Sequence, residues 1–470
     1  MVKAEKKYTD VLRHIIEKTD YVFTIKNLRA TGDFVDPWYD FDSMKRAISN
    51  CPSAYKTTLR LLHMGIPAER SAIEGEIGGQ EVEQMIESGI WYADDGRICT
   101  NNYVLLIYQG LLLLTEINPW YETCTNRNTD VYIGYDSLRL AENIVFDRGS
   151  TALDLCSGTG IQGLLAAKSA KHVVSVELNE KAAPVNRFNI LLNGMEDVME
   201  LRLGDLYSVL DEGETFDYIY ANPPFIPMLD DVKYPICGTG GEDGLRVLNN
   251  IVDGLPKYLK PNGRCIIFCE CLGDNENVFF DERLEELGKA EGWSIAQLRA
   301  ARLITELQIN KVSQLNELFS DDYDENGFRT GMKKVYDKLG AKYLYSLVYN
   351  IHACGSGDGK IKTIDFCSHW TPDDAAAVSD GIALGTNSAS LAVMRGDKQI
   401  GSVNLESADI LRALMEGSTL REISEVLYPK YKNKKRYEKL GLPAFEEQVL
   451  TVCLMLEKMG AISNKKEAKK

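Results

Sequence analysis

Between residues 150 and 305, short apolar runs alternate with helical spacing, and this rhythm narrows the possible folds more than any other property of the chain. Residues 152–156, 173–177, 200–204, 218–222 and 264–269 read as strands, and stretches between them, such as 180–193 and 245–259, read as helices. The repetition predicts an α/β fold: a doubly wound parallel sheet with ligand crevices at the carboxyl ends of its strands. Residues 294–303 and 343–354 supply two last strands, with a helical insertion over 305–339 between them.

The strand ends carry the chemistry. The first strand runs into Asp154-Leu155-Cys156-Ser157-Gly158-Thr159-Gly160, a turn of small residues whose backbone can lie directly against a ligand. Glu177 closes the next strand, where a carboxylate can accept both hydroxyls of a ribose. By themselves these features also fit a nicotinamide cofactor, or a tight structural turn beside an exposed acid. Asp205 and Leu206 follow the third strand, and the Asp205 carboxylate suits an exocyclic amine such as that of adenine. Asn222-Pro223-Pro224-Phe225 then sets an amide, two rigid rings and an aromatic face at a fourth strand end, a grip for a planar nitrogen-bearing group. The plain alternative is a strand-ending Asn-Pro turn.

In this order, the segment 154–160, Glu177, Asp205, the segment 222–225 and Gly240-Gly241-Glu242-Asp243-Gly244-Leu245 resemble a class I S-adenosylmethionine-dependent methyltransferase. Within that class the pattern is similar to the small-domain group of release-factor glutamine N5-methyltransferases and RNA base N-methyltransferases. The resemblance covers about a third of the chain and implies a Rossmann-like core with S-adenosylmethionine as cofactor. It implies Asp154, Cys156, Gly158, Gly160, Glu177, Asp205, Leu206 and Asn222 as cofactor-binding, and Asp136 as a further contact from upstream. An N-cap role for Asp136 or Ser137 fits that segment equally well. It implies Asn222 and Pro223 as catalytic, Pro224 and Phe225 as substrate-binding, and no metal. Methyl transfer from a sulfonium builds charge on the attacking nitrogen, so the Asn222 side-chain oxygen and the Pro223 carbonyl would accept its N–H groups and orient its lone pair. Phe225 would stack on a flat amide or base. Two features depart from the glutamine enzymes: Phe225 stands where they commonly carry Tyr, and the carboxyl-terminal third has no counterpart in them.

A chain of 470 residues exceeds what one core organises, and the pattern divides it into a helical and winged-helix-like unit over 1–125, the methyltransferase core over 126–355, a β-rich and helix-turn-helix-like or winged-helix-like region over 356–463, and a disordered tail over 464–470. In the first unit, helices over 55–63 and 80–87 and a short one after Pro67 precede a turn at 94–96 and an apolar hairpin over 103–114 pivoting near Gly110. The longest apolar stretch, 104–117, is interrupted by Gln109 and too short to span a bilayer, and the amino terminus has no apolar leader core. Eleven scattered cysteines fit reduced thiols, so a cytoplasmic location is expected.

Three acceptor classes follow: a side-chain amide or amine of a protein or peptide, favoured by the 240–245 match; an exocyclic amine of an RNA or DNA base, opposed by the formal charge of −16; and a small-molecule amine. A regulator that only senses S-adenosylmethionine is the weakest reading, given the intact Asn222-Pro223-Pro224. The basic and aromatic segment 430–437 fits a solvated loop better than a nucleic-acid contact. His352, Cys354, Cys367 and His369 number enough for zinc, yet a hairpin centred near Asp358 would part them, so packing is the expected role. Cys265, Cys269 and Cys271 alternate along a buried strand as small hydrophobes.

Overall fold

The structure, a computed structural model, describes residues 1–30, 41–117, 129, 131–229, 232, 235–319, 323–366, 370–386, 391–434, 437 and 441–465. Helix α1 (Lys6–Lys18) buries Leu12, Ile15 and Ile16 on one face, as their spacing requires. Helices α2 (Tyr21–Ala30) and α3 (Phe41–Asn50) lead to α4 (Lys56–Met64), which stops at Gly65. Gly65 is left-handed at φ +67°, and a Cβ there would lie 2.5 Å from the Ile117 side chain, so glycine is required twice over. Strand β1 (Ala68–Glu69), α5 (Arg70–Ile77), α6 (Gly79–Glu87), β2 (Trp91–Asp94) and β3 (Arg97–Thr100) follow, with the strands paired in the order β1-β3-β2.

The apolar hairpin is a separate two-stranded sheet, β4 (Tyr103–Tyr108) and β5 (Leu111–Glu116), turning through Gln109 and Gly110, both at positive φ. Leu105, Ile107 and Leu114 enter the core of the amino-terminal helices, while Val104, Leu106, Leu111 and Leu113 enter the core under the large sheet. Two buried faces explain why the run is apolar without alternation. The hairpin is fixed by the helix Ala183–Leu192 and its cap: the Asn189 side chain donates to Leu114 O at 2.9 Å and accepts from Leu114 N at 2.7 Å, and the cap residue Asn193 repeats the pairing on Leu112. Two side-chain amides thus satisfy backbone groups that a further strand would otherwise pair.

The central region contains α7 (Tyr135–Asn143), β6 (Thr151–Leu155), α8 (Ile161–Ala167), β7 (His172–Glu177), α9 (Ala183–Leu192), β8 (Met199–Leu203), β9 (Phe216–Ala221), α10 (Arg246–Tyr258), β10 (Leu259–Gly273), α11 (Phe279–Glu291), β11 (Ser294–Ile304), α12 (Thr305–Phe319), α13 (Glu325–Leu339), β12 (Tyr343–His352) and β13 (Ile361–Asp365). The sheet order is β13-β11-β12-β10-β9-β6-β7-β8, parallel throughout except for β12, which runs against both neighbours. This is a Rossmann-like α/β core. The order of connection reverses between β6 and β9, and a doubly wound sheet opens its crevice at that point. Helices α12 and α13 form the expected insertion and pack Ile309, Val312, Phe328, Met332 and Tyr336 around Met228, just past the 222–225 segment.

Two expectations need correcting here. No hairpin forms across 355–359: β12 pairs with β10 and β11, and β13 lies parallel to β11 on its far side. The crossover is set by long-range pairing that a local turn pattern does not reveal. The large sheet therefore takes its eighth strand from beyond residue 355, where the periodicity ends the core. His352 closes β12 and the Cys354 thiol donates to Gly292 O at 3.5 Å, whereas Cys367 and His369 lie outside the described residues. Cys265, Cys269 and Cys271 are buried along β10, the first facing apolar neighbours whose burial pushes its thiol pKa up.

The carboxyl-terminal region has β14 (Ala376–Val378), the sheet β15 (Ile382–Thr386), β16 (Leu391–Arg395) and β17 (Lys398–Val403), helices α14 (Leu405–Met415), α15 (Leu420–Tyr431) and α16 (Gly441–Lys458), and β18 (Ile462–Asn464). Thr419 and Glu422 form a capping box at the start of α15, worth about 1 kcal/mol. Strand β18 pairs with β14 through Asn464, so ordered structure passes the 463/464 boundary. The basic segment is not simply solvated. Lys430 and Tyr431 bind Asp409, and Lys434 and Tyr437 bind Glu406, a carboxylate only 1% exposed. These cations and phenols give two acids of α14 their ion-pair and hydrogen-bond partners, because a buried carboxylate without partners would be prohibitively costly.

Candidate functional site

The turn after β6 is built by three residues at positive φ: Cys156 at +55°, Gly158 at +51° and Gly160 at +81°. The two glycines serve different ends. A Cβ on Gly160 would lie 2.9 Å from Asn186 Oδ1, so this position is closed by the protein itself. A Cβ on Gly158 would meet nothing within 4 Å, so this position borders open space, which is the room a ligand needs. Gly160 also caps the amino end of α8, without a side-chain bond. Asp154 does not line the crevice. It is 1% exposed and accepts from Gly163 N at 2.9 Å beneath the turn, and burial pushes its carboxyl well above the usual range. Its place is that of a prop for the turn.

Glu177, at the end of β7, accepts from Gly158 N at 2.7 Å through one oxygen and from Asn179 N at 2.7 Å through the other. A carboxylate offers about four acceptor sites, so these bonds leave capacity for a further donor. Burial raises the carboxyl pKa, opposed by the backbone N–H groups of Asn179, Gly158 and Leu178. Gly204 N bonds Glu177 O at 2.8 Å, which brings the exposed Asp205 beside it, while Leu206 turns inward at φ +46° into the core. Glu177, Asp205 and the glycine turn thus share one rim.

Register places Leu155 opposite Ala221, so Cys156 and Asn222 leave adjacent strands side by side. Asn222 Nδ2 donates to Asp136 Oδ2 at 2.6 Å and approaches Ser137 Oγ at 3.4 Å. Its Oδ1 is buried and has no hydrogen-bond partner, a state that costs roughly 1–3 kcal/mol unless something fills it. Pro223 is buried, Pro224 and Phe225 are half-buried, and the Phe225 ring meets Phe268 edge-on with centroids 5.6 Å apart. The glycine-rich segment clasps this loop: Gly240 N donates to Ile226 O at 2.9 Å, Met228 N to Gly241 O at 2.8 Å, and a Cβ on Gly244 would strike Phe225 O at 2.5 Å. The 240–245 motif therefore acts on the 222–225 motif by backbone contact.

The structure brings Asp136, Cys156, Gly158, Gly160, Glu177, Asp205 and Asn222 to one end of the sheet. It sets Asp154 and Leu206 below the surface, and Tyr431 and Tyr437 of the basic segment in the carboxyl-terminal core. The N-cap role for Asp136 or Ser137 is not used, since Gly134 caps α7 without a side-chain bond. Sequence reasoning missed Asn189, whose Nδ2 also donates to Thr159 O at 3.0 Å, and Gln162, whose Nε2 donates to Ser137 O at 3.1 Å. Polar residues on otherwise buried helix faces are the signal that could have found them. Among the described residues one further set, His172, Glu200 and Glu214, has metal-ligand spacing, but Arg202 bridges both carboxylates, at 2.5 and 2.7 Å. The cluster is an ion-pair network.

The family model "Methyltransferase small domain" matches residues 133–271. A release factor glutamine methyltransferase of Clostridium acetobutylicum is 35% identical over 134 residues, 26% of this chain and 47% of that protein. A Methanocaldococcus jannaschii protein named as a candidate protein N5-glutamine methyltransferase is 32% identical over 161 residues, 33% of this chain and 77% of its own length. A ribosomal protein uL3 glutamine methyltransferase of Bradyrhizobium diazoefficiens is 32% identical over 145 residues, 29% of this chain and 44% of that protein. The chain thus spans less than half the length of the first and third of these relatives.

Proposed function

Since this chain belongs to the methyltransferase small-domain family, we propose that it is an S-adenosylmethionine-dependent N-methyltransferase whose acceptor is a side-chain amide nitrogen, that of glutamine, in a protein. The observation that carries this reading is the unpartnered, buried Asn222 Oδ1 at the mouth of the β6/β9 crevice. An amide N–H is the donor it lacks. The residues fit the cofactor: Gly158 leaves room, Glu177 keeps acceptor capacity for a ribose hydroxyl, and Asp205 can accept from an adenine amine. When bound, S-adenosylmethionine supplies an electrophilic methyl group on a sulfonium.

The protein's part is to orient. Asn222 Oδ1 and the Pro223 carbonyl accept the two N–H groups of the acceptor, which turns the nitrogen lone pair toward the crevice and favours the charge that develops on nitrogen. A neutral amide is a weak nucleophile, so alignment and electrostatic support supply the rate rather than a strong base, and the methylated nitrogen gives up one proton to water. Phe225 and Pro224 flank the flat amide and exclude water. Glutamine in a translation protein is the acceptor suggested by the names of the similar proteins, and such a substrate fits a cytoplasmic enzyme. Among the described residues no helix is long and apolar enough to cross a membrane. The test is to incubate the protein with methyl-labelled S-adenosylmethionine in a lysate from cells lacking it, then separate protein, RNA and small molecules. Label in the protein fraction, released as N5-methylglutamine on proteolysis, is expected; label confined to RNA or small molecules would refute the acceptor.

A further inference from the structure

We propose that Asp136 is a positioning residue that fixes which way the Asn222 amide faces. The assignment rests on the methyl-transfer reading above. A carboxamide has two orientations of similar shape, and only one presents its oxygen to an acceptor N–H. Asp136 Oδ2 lies 2.6 Å from Asn222 Nδ2, and Ser137 Oγ adds a second, longer acceptor at 3.4 Å. With the amide reversed, Oδ1 would face a carboxylate that has no proton to give, and Nδ2 would be left without its partner. A hydrogen bond to a charged group holds the chosen orientation by about 10- to 100-fold. The carboxylate thereby aims Oδ1 into its buried, unpartnered position, and draws charge toward that oxygen along the amide.

Two neighbours keep Asp136 in place. Gly134 leaves space, because a Cβ there would come within 2.3 Å of Asp136 Oδ1. Gln162, on the helix that follows the glycine turn, donates to Ser137 O at 3.1 Å and ties α7 to the cofactor side. The upstream segment, the glycine turn and the β9 end are thus joined by side-chain hydrogen bonds, and the role of Asp136 is exerted through Asn222.

D136A, D136N, G134A and N222A can be compared with the unaltered protein in three measurements: S-adenosylmethionine affinity by calorimetry, single-turnover methyl transfer to a purified peptide release factor, and the side-chain amide resonances of Asn222 in protein labelled with ¹⁵N-asparagine, identified by their loss in N222A. D136A should bind S-adenosylmethionine within about twofold of the unaltered protein, lose about 10- to 100-fold in kcat with little change in KM for the acceptor, and move the Asn222 amide resonances. D136N should recover most of the rate, because its own amide oxygen can accept the same hydrogen bond; G134A should resemble D136A. An unchanged kcat with unmoved Asn222 resonances in D136A would overturn the assignment, as would a loss confined to cofactor affinity. If the unaltered protein fails to label the release factor, the acceptor reading falls while the Asn222 resonances still decide the role of Asp136.

Discussion

Replacing each glycine of the turn by alanine separates the fold from the ligand site. Gly158 and Gly160 both sit in the left-handed region, at φ +51° and +81°, where an L side chain costs roughly 1–2 kcal/mol. Reduced freedom of the unfolded chain returns about 0.4–1 kcal/mol in either variant. The difference lies in what the new methyl meets. At Gly160 it would come 2.9 Å from Asn186 Oδ1 and 3.0 Å from Asn186 Cγ and Nδ2, in a side chain already bonded to Ser157 and Ser175, so an overpacking cost of about 1–3 kcal/mol adds. At Gly158 it meets nothing within 4 Å. G160A should therefore lose about 2–4 kcal/mol, and G158A only about 1 kcal/mol, in chemical denaturation followed by tryptophan fluorescence. For S-adenosylmethionine the order reverses in kind: the Gly158 methyl occupies ligand space, so calorimetry should show G158A weakened at least about tenfold despite its nearly intact fold. Equal stabilities for the two variants, or unaltered affinity in G158A, would refute the assignment of the open side of the turn.

Burial raises the Glu177 pKa. Ribose hydroxyls are donors to its ionised form, so affinity for S-adenosylmethionine should be full above the raised pKa and fall as pH drops through it, earlier than an ordinary glutamate would allow; calorimetry across pH should show this, and E177Q should be weaker but flat. N189L strips partners from Leu114 N, Leu114 O and Thr159 O, and should cost about 3–5 kcal/mol, with hydrogen exchange accelerated in the 103–116 hairpin and the glycine turn together. E406L leaves Lys434 and Tyr437 without their acceptor and should destabilise the carboxyl-terminal region by about 3 kcal/mol while methyl transfer survives, measured by denaturation and by turnover.

Strand ends were readable because a parallel sheet built from βαβ units repeats a local pattern, and because turns such as 156–160 demand small residues wherever they occur. Asn222 was readable for the same reason: it ends a strand and is followed by two prolines. Contacts made across the chain were not. Nothing local marks β13 as a partner of β11, since only the long-range pairing of residues 295–299 with 361–365 puts them side by side. The segment 430–437 reads as a solvated charge run until the buried Glu406 and the half-buried Asp409 are placed beside it. Asp136 reads as a cap because its partner is Asn222, far along the chain, and a hydrogen bond of that span leaves no periodic trace. Asn189 and Asn193 lie on a helix face that faces protein, where their spacing alone does not say that a hairpin edge will be satisfied by side chains.

Mass spectrometry of a purified peptide release factor, after incubation with S-adenosylmethionine carrying a deuterated methyl group, tests the central claim most directly. The account predicts one labelled methyl on a glutamine side-chain nitrogen with the unaltered protein, and labelling reduced by orders of magnitude with N222A although that variant still binds S-adenosylmethionine. Equal labelling by N222A, or label on an atom other than the amide nitrogen, would contradict it.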